Sequence, residues 1–273
     1  MNFIQKLRHI QQKNNSLLCI GLDTDVTKVP ESLYAWGDPQ YEFNRRIIDA
    51  TKDIVCAYKL NISFYESVGE HGWYTVHQTL ARIPEEIVTI GDGNRSDIPY
   101  ASERQAHLLC EDWEFSGTTV NPYLGGDAIA PFLKRRDQCA FIVTVTTNKG
   151  SGDIQRLKVK GKPLYEQVIA NAKKWNVKKN IGLVVGASDP NDLKRTRSLA
   201  PDMPILIPGV GAQKGNLESA VRFGCDSNGE LAVINIGRSI LYASGKDDFA
   251  EKARDVALKY RDQMNNHRAK YFQ

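Results

Sequence analysis

The chain has 273 residues, 41% hydrophobic and 25% charged, which suits a globular protein with one large core or two small ones. Its 36 basic and 32 acidic residues leave a net charge of +4, too balanced for a nucleic-acid surface. No run approaches the ~18 apolar residues of a membrane span. The N-terminus lacks a signal-peptide core, and five scattered cysteines without a CxxC pair suit a reducing cytoplasm.

From the N-terminus, Phe3, Ile4, Leu7 and Ile10 recur at helical spacing and predict an amphipathic helix over about 2–13. Residues 17–23 read as a buried strand ending in Asp23. Asp38-Pro39 is a helix start, and Phe43, Ile47, Ile48 and Thr51 form the apolar stripe behind it. Residues 54–59 form a second strand that ends in Lys59, and 63–80 are helical with a break near Gly69 and Gly72. Residues 87–90 are a third strand, short and β-branched. It opens onto a polar loop, Gly91 to Asp97, in which Gly91 and Gly93 let the backbone turn tightly around Asp92.

A helix over 101–109, a strand over 118–121, a short helix over 128–134 and a strand over 140–145 follow. The last of these runs into the polar loop 146–151. Next come a helix over 164–175, a strand over 181–185, a helix over 191–199 behind Asp189-Pro190, and a strand over 205–207. Asn216 caps a helix closed by Gly224, and 231–236 is the eighth strand. A final helix spans about 247–265, with a C-terminal tail from about 262. Eight strands, each followed by a helical segment and with no linker between them, predict an α/β fold: a single (β/α)8 TIM barrel over 1–273. The alternative is an open doubly wound sheet.

Barrels of this kind carry chemistry where strands end and loops begin. Those positions hold Asp23, Lys59, Asp92, Asp97, Asn121, Thr147, Gln213 and Arg238. Asp23 has a competing reading as a helix cap. A lysine closing an apolar strand needs a partner when buried, and the two acids after the third strand would supply one. The loop from Pro208 to Gly215, PGVGAQKG, is glycine-rich and leads into a helix, and Gly237-Arg238 follows the eighth strand. Backbone N–H groups, a helix N-terminus and a guanidinium at these two positions make a phosphate site. The five histidines have no metal-ligand spacing, so a zinc site is not expected.

Lys59, the Asp92/Asp97 loop, TVNPYLGGD, TTNKGSGD, IPGVGAQKG and INIGRSI, in this order from Gly21 to Ser244, resemble the orotidine 5′-monophosphate decarboxylases, in particular the bacterial branch with longer loops. The resemblance implies a cofactor-free lyase that converts orotidine monophosphate to UMP, usually as a homodimer with sites at the interface. It implies a catalytic Lys59 that orders the acids, an Asp92 set against the departing carboxylate, and an Asp97 that crosses into the partner's site. Asp23 matches a ribose contact, Thr147 the hydroxyl that meets the pyrimidine, and Asn121 the pocket lining. Pro208, Gln213, Gly237 and Arg238 match the phosphate grip.

One position departs from the pattern. Where the family motif reads Asp-x-Lys-x-x-Asp, this chain has Asp92-Gly93-Asn94-Arg95-Ser96-Asp97. An amide carries no labile charged proton and cannot replace an ammonium. Arg95 points to the opposite face of an extended segment and is a poor proton donor. Pro99, Tyr100 and Ala101 depart as well. Three readings follow: a decarboxylase impaired by Asn94, a nucleotide-binding homologue or variant without turnover, and a different reaction on a phosphorylated sugar or nucleotide.

Overall fold

In the computed structural model, which describes residues 1–211 and 215–272, the apolar runs of the sequence become eight parallel strands. They are β1 (Leu18–Gly21), β2 (Ala57–Asn61), β3 (Val88–Arg95), β4 (Gly117–Val120), β5 (Cys139–Val145), β6 (Ile181–Val185), β7 (Ile205–Pro208) and β8 (Ala232–Ile236). Among the described residues they close in the order β1-β8-β7-β6-β5-β4-β3-β2, a TIM barrel, which removes the open sheet from consideration. Around it lie α1 (Phe3–Lys13), α2 (Pro39–Thr51), α3 (Glu70–Arg82), α4 (Pro99–Ala106), α5 (Leu164–Trp175), α6 (Pro190–Leu199), α7 (Leu217–Gly224) and α8 (Phe249–Tyr271).

Local chemistry fixes where these helices begin. Asp38, Asp189 and Asn216 each accept a backbone N–H of the turn that follows, from Tyr41, Asn191 and Ser219 at 2.8–2.9 Å. Proline occupies the first helical position in α2 and α6, where its missing N–H has no partner to lose. α1 buries Phe3, Leu7 and Ile10 completely and closes the N-terminal end of the barrel. Its Gln11 amide bonds Ala232 O and Leu231 N at 2.7 and 3.0 Å, tying that plug to the start of β8.

The barrel interior is fitted by size. The Phe141 ring on β5 spreads over glycines on both neighbouring strands. A Cβ at Gly117 or Gly182 would lie 2.9 or 2.5 Å from it. Phe3 meets the same ring edge-on at 5.7 Å. Close packing of this kind makes even one added methyl costly.

Four segments differ from expectation. β2 begins and ends later, so Lys59 is its third residue, and its side chain points into the barrel instead of off the strand end. β3 continues to Arg95, so Asp92 and Asn94 belong to the strand. Between β5 and α5 the chain adds a turn at Ser151–Ile154 and a hairpin of Lys158–Val159 with Lys162–Pro163, which have no hydrophobic alternation to announce them. α8 runs to Tyr271 in place of a tail from about 262. Met264 is fully buried, and Lys270 and Tyr271 reach Glu218 of α7 at 2.7 and 2.5 Å.

Candidate active site

The C-terminal ends of the strands surround a cleft of about 210 Å3 lined by residues from β1, β2, β3, β5, β7 and β8 or the loops after them. Its floor is a charged cluster. β1 and β2 pair Gly21 with Lys59, and β2 and β3 pair Asn61 with Asp92. That register brings three chemical groups together. Lys59 Nζ lies 3.1 Å from Asp23 Oδ1 and 2.7 Å from Asp92 Oδ2. The Lys59 side chain is 4% exposed, while the two carboxylates keep 22% and 18%. Burial opposes charge on this lysine, but the carboxylates of Asp23 and Asp92 and their hydrogen bonds outweigh it, so its pKa is held above the ordinary lysine value.

Asp92 is oriented from its other side. Thr119, 1% exposed on β4, donates its hydroxyl to Asp92 Oδ1 at 2.8 Å and accepts the Asn94 backbone N–H at 2.9 Å. Here the strands fall out of step. Gly91 pairs with Thr118 and Arg95 with Val120, so β3 advances four residues while β4 advances two. The extra length is a bulge, a common device beside active sites. The left-handed position in this bulge is Asn94, at φ 46°, which asparagine tolerates better than most residues. Gly91 and Gly93 therefore do not make the turn. Gly91 is needed because a Cβ there would lie 2.9 Å from the Phe115 ring, whereas at Gly93 only the Arg95 side chain comes near, its Nε 3.0 Å from where a Cβ would stand. Arg95 itself pairs with Glu66 outside the cleft.

Another wall of the cleft comes from β7 and β8. Pro208 ends β7 and lines the cleft with Gly209, whose φ of +96° requires glycine. Gly215 N bonds Gly209 O at 2.9 Å, closing the base of the loop. Gly237 and Arg238 complete the wall, and Arg238 is exposed with no ion pair among the described residues. Gln213 lies outside the described residues. Thr147 lines the opposite side, packed so close to Gly186 that a Cβ there would be 2.5 Å from its methyl group. The preceding Thr146 is held by Gln155, whose Oε1 accepts its N–H at 2.8 Å.

Of the residues singled out in the sequence, Asp23, Lys59, Asp92, Thr147, Pro208, Gly237 and Arg238 share this cleft. Asn94, Asp97 and Asn121 are exposed and do not line it in the single chain. Asp97 Oδ1 accepts the Ile98 N–H at 2.7 Å, and Asn121 Oδ1 caps the turn Pro122–Leu124 by accepting from Tyr123 at 3.1 Å. Sequence reasoning missed Asn61, Asn235 and Thr119. The signal for Asn235 was present as a lone amide in the apolar strand Ala232–Ile236, since a buried polar side chain needs a reason. Among the described residues no cluster of three or more His, Cys, Asp or Glu could hold a metal ion. No helix of the described residues is long and apolar enough to cross a membrane.

Comparison with known proteins bears on the same site. The chain is 42% identical over 275 residues to an orotidine 5′-phosphate decarboxylase of Dehalococcoides mccartyi, covering 99% of this chain and 100% of that one. It is also 42% identical to one of Herpetosiphon aurantiacus, over 93% and 95% of the two chains. The solved Leishmania donovani OMP decarboxylase superposes with a TM-score of 0.86 at 32% identity, covering 98% of this chain and 99% of that one. The family model that describes orotidine 5′-phosphate decarboxylases and the HUMPS family matches residues 16–254. With that match and full-length relatives of this similarity, the chain belongs to the orotidine 5′-phosphate decarboxylase / HUMPS family.

Proposed function

We propose that the cleft decarboxylates orotidine 5′-phosphate to UMP, a step of pyrimidine synthesis. The observation that carries this reading is Lys59 held between Asp23 and Asp92 on the floor of a cleft whose wall carries Arg238, in a chain of this family. Breaking the bond between C6 and the carboxylate releases CO2 and leaves an electron pair on C6, which must then take a proton. Asp92 is assigned to face the departing carboxylate, where like charges disfavour the bound substrate more than the transition state. Lys59 orders both acids and Asp23 meets the ribose. Thr147 meets the pyrimidine, and Pro208, Gln213, Gly237 and Arg238 grip the phosphate. Asn121 contributes from the rim of the pocket.

Asn94 is assigned to the place of a catalytic-loop lysine. In its absence the described cleft holds two cations, Lys59 and Arg238, and a guanidinium is a poor proton donor. The proton for C6 then comes from Lys59 or from water. We assign slow turnover to this sequence, since losing one general acid typically costs ~10²–10⁴-fold.

A homodimer belongs to this reading. Asp97 stands clear of its own cleft, next to Ile98 and Tyr100, which are 61% and 78% exposed. Tyr123 and Leu124, on the loop after neighbouring β4, are 80% and 45% exposed. Exposed apolar side chains, with a carboxylate that has no ion pair among the described residues, suit a second copy that receives Asp97 into its site. The cysteines of the chain are all buried and free, in keeping with a reducing cytoplasm. The full-length relatives named as decarboxylases disfavour another phosphosugar reaction.

The test is conversion of orotidine 5′-phosphate by the purified chain beside an Asp92→Asn variant, with sedimentation to count subunits. UMP and CO2 in equal amounts, lost in the variant, are expected. No conversion above the uncatalysed rate at saturating substrate would remove the decarboxylase and leave a nucleotide-binding homologue.

A further inference from the structure

The cleft floor contains a carboxamide that the reading above leaves idle. Asn235 is the fourth residue of β8 and 8% exposed, and its side chain enters the barrel beside Cys19. Its backbone pairs with Cys19 of β1 on one side and with Pro208 of β7 on the other. A glycine clears the space beside it. A Cβ at Gly21 would lie 3.1 Å from Asn235 Oδ1, 3.3 Å from its Nδ2 and 3.5 Å from Asp23 Oδ2.

The orientation of this amide follows from its neighbour. Cys19 is fully buried, and burial first, with Cys56, Asp23 and Asp92 adding to it, keeps its thiol protonated. The thiol donates to the amide oxygen Oδ1, which it faces at 3.5 Å. That bond turns Nδ2 away from Cys19. Nδ2 has no hydrogen-bond partner among the described residues, and it is absent from the sealed, unsatisfied polar atoms. It therefore opens on the cleft that Asn235 lines, with two N–H donors to offer.

Its sector of the barrel identifies what it can meet. Pro208 and Gly209 flank it on β7, Gly237 and Arg238 follow it in sequence, and Asp23 follows its other neighbour, β1. Thr147, after β5, is three strands away around the barrel. We propose that Asn235 is a specificity-determining contact for the phosphoribosyl part of the ligand, donating its Nδ2 hydrogens to a ribose or phosphate oxygen between Arg238 and Asp23. The inference rests on the nucleotide reading of the cleft. It adds a recognition group that acts before any chemistry at C6, so turnover is not needed to test it.

The experiment is calorimetric titration of the full chain with UMP and with ribose 5-phosphate. Asn235→Leu keeps the branched shape and removes both donors, and Asn235→Ala serves if the larger side chain does not fold. Melting of each ligand-free variant separates binding from stability. Loss of one donor to a charged or hydroxyl oxygen predicts that both ligands bind about tenfold more weakly, with melting little changed. Unchanged affinity for both ligands, or a loss confined to UMP while ribose 5-phosphate binds as before, overturns the assignment. A parent chain that binds neither ligand overturns the nucleotide reading itself, an outcome visible before any variant is made.

Discussion

Lys59→Met removes the one ammonium that the described residues place on the cleft floor and keeps most of the side-chain volume. It leaves Asp23 and Asp92 facing each other across the space that Nζ bridged at 3.1 and 2.7 Å. Breaking a buried ion pair by deleting one partner costs about 3–5 kcal/mol. The two carboxylates keep 22% and 18% of their surface, so water relieves part of the repulsion, and about 3 kcal/mol is the appropriate figure. For a chain of this size that is a fall of roughly 5 °C in melting temperature.

The pH dependence has a definite sign. The folded pKa of Lys59 is raised above its unfolded value, against the opposing effect of burial, by its two acids. Its contribution is therefore fully present below the unfolded pKa of about 10.4 and is lost as pH rises through the higher folded value. Melting curves of parent and variant at pH 7, 8 and 9 should differ by a constant amount. A variant as stable as the parent, or a difference that closes between pH 7 and 9, would refute the view that the acids hold this lysine charged.

Two further predictions concern the bulge. Thr119→Val deletes the bond to Asp92 and orphans the Asn94 N–H, and should cost about 2 kcal/mol in urea unfolding, while Thr119→Ser restores most of it. Equal stability of the valine variant would show that the hydroxyl is not spent on the site. Gly91→Ala presses a methyl to 2.9 Å from the Phe115 ring and should cost about 1–3 kcal/mol. Gly93→Ala meets only the flexible Arg95 side chain and should cost less than half as much; the reverse order would contradict the packing described.

The parts legible in the sequence are those set by local chemistry. Asp38, Asp189 and Asn216 each cap the helix expected of them, because a cap needs only the residue and the turn beside it. α5 and β6 begin and end where their apolar patterns do. Lys59, Asp92 and Arg238, expected near strand ends, do come together in one cleft, although Lys59 and Asp92 lie within their strands. Registers between strands were not legible. Asn94 in its left-handed bulge, Thr119 behind Asp92 and Asn235 beside Cys19 owe their positions to pairings between residues that are distant in sequence. The last turns of α8 escaped for a related reason. Their support is polar and comes from Glu218 and Asn15, so no apolar period marks them.

The most direct test of the account is orotidine 5′-phosphate turnover by the chain as it stands beside Asn94→Lys. The substitution places an ammonium in the bulge next to Asp92, at a modest cost of about 1–2 kcal/mol for a lysine at φ 46°. Loss of a general acid is worth ~10²–10⁴-fold, so kcat should rise by at least about a hundredfold while the affinity for UMP stays within a few-fold of the parent. A parent chain that already turns over rapidly, with no gain in the lysine variant, would contradict the claim that this loop lacks its proton donor.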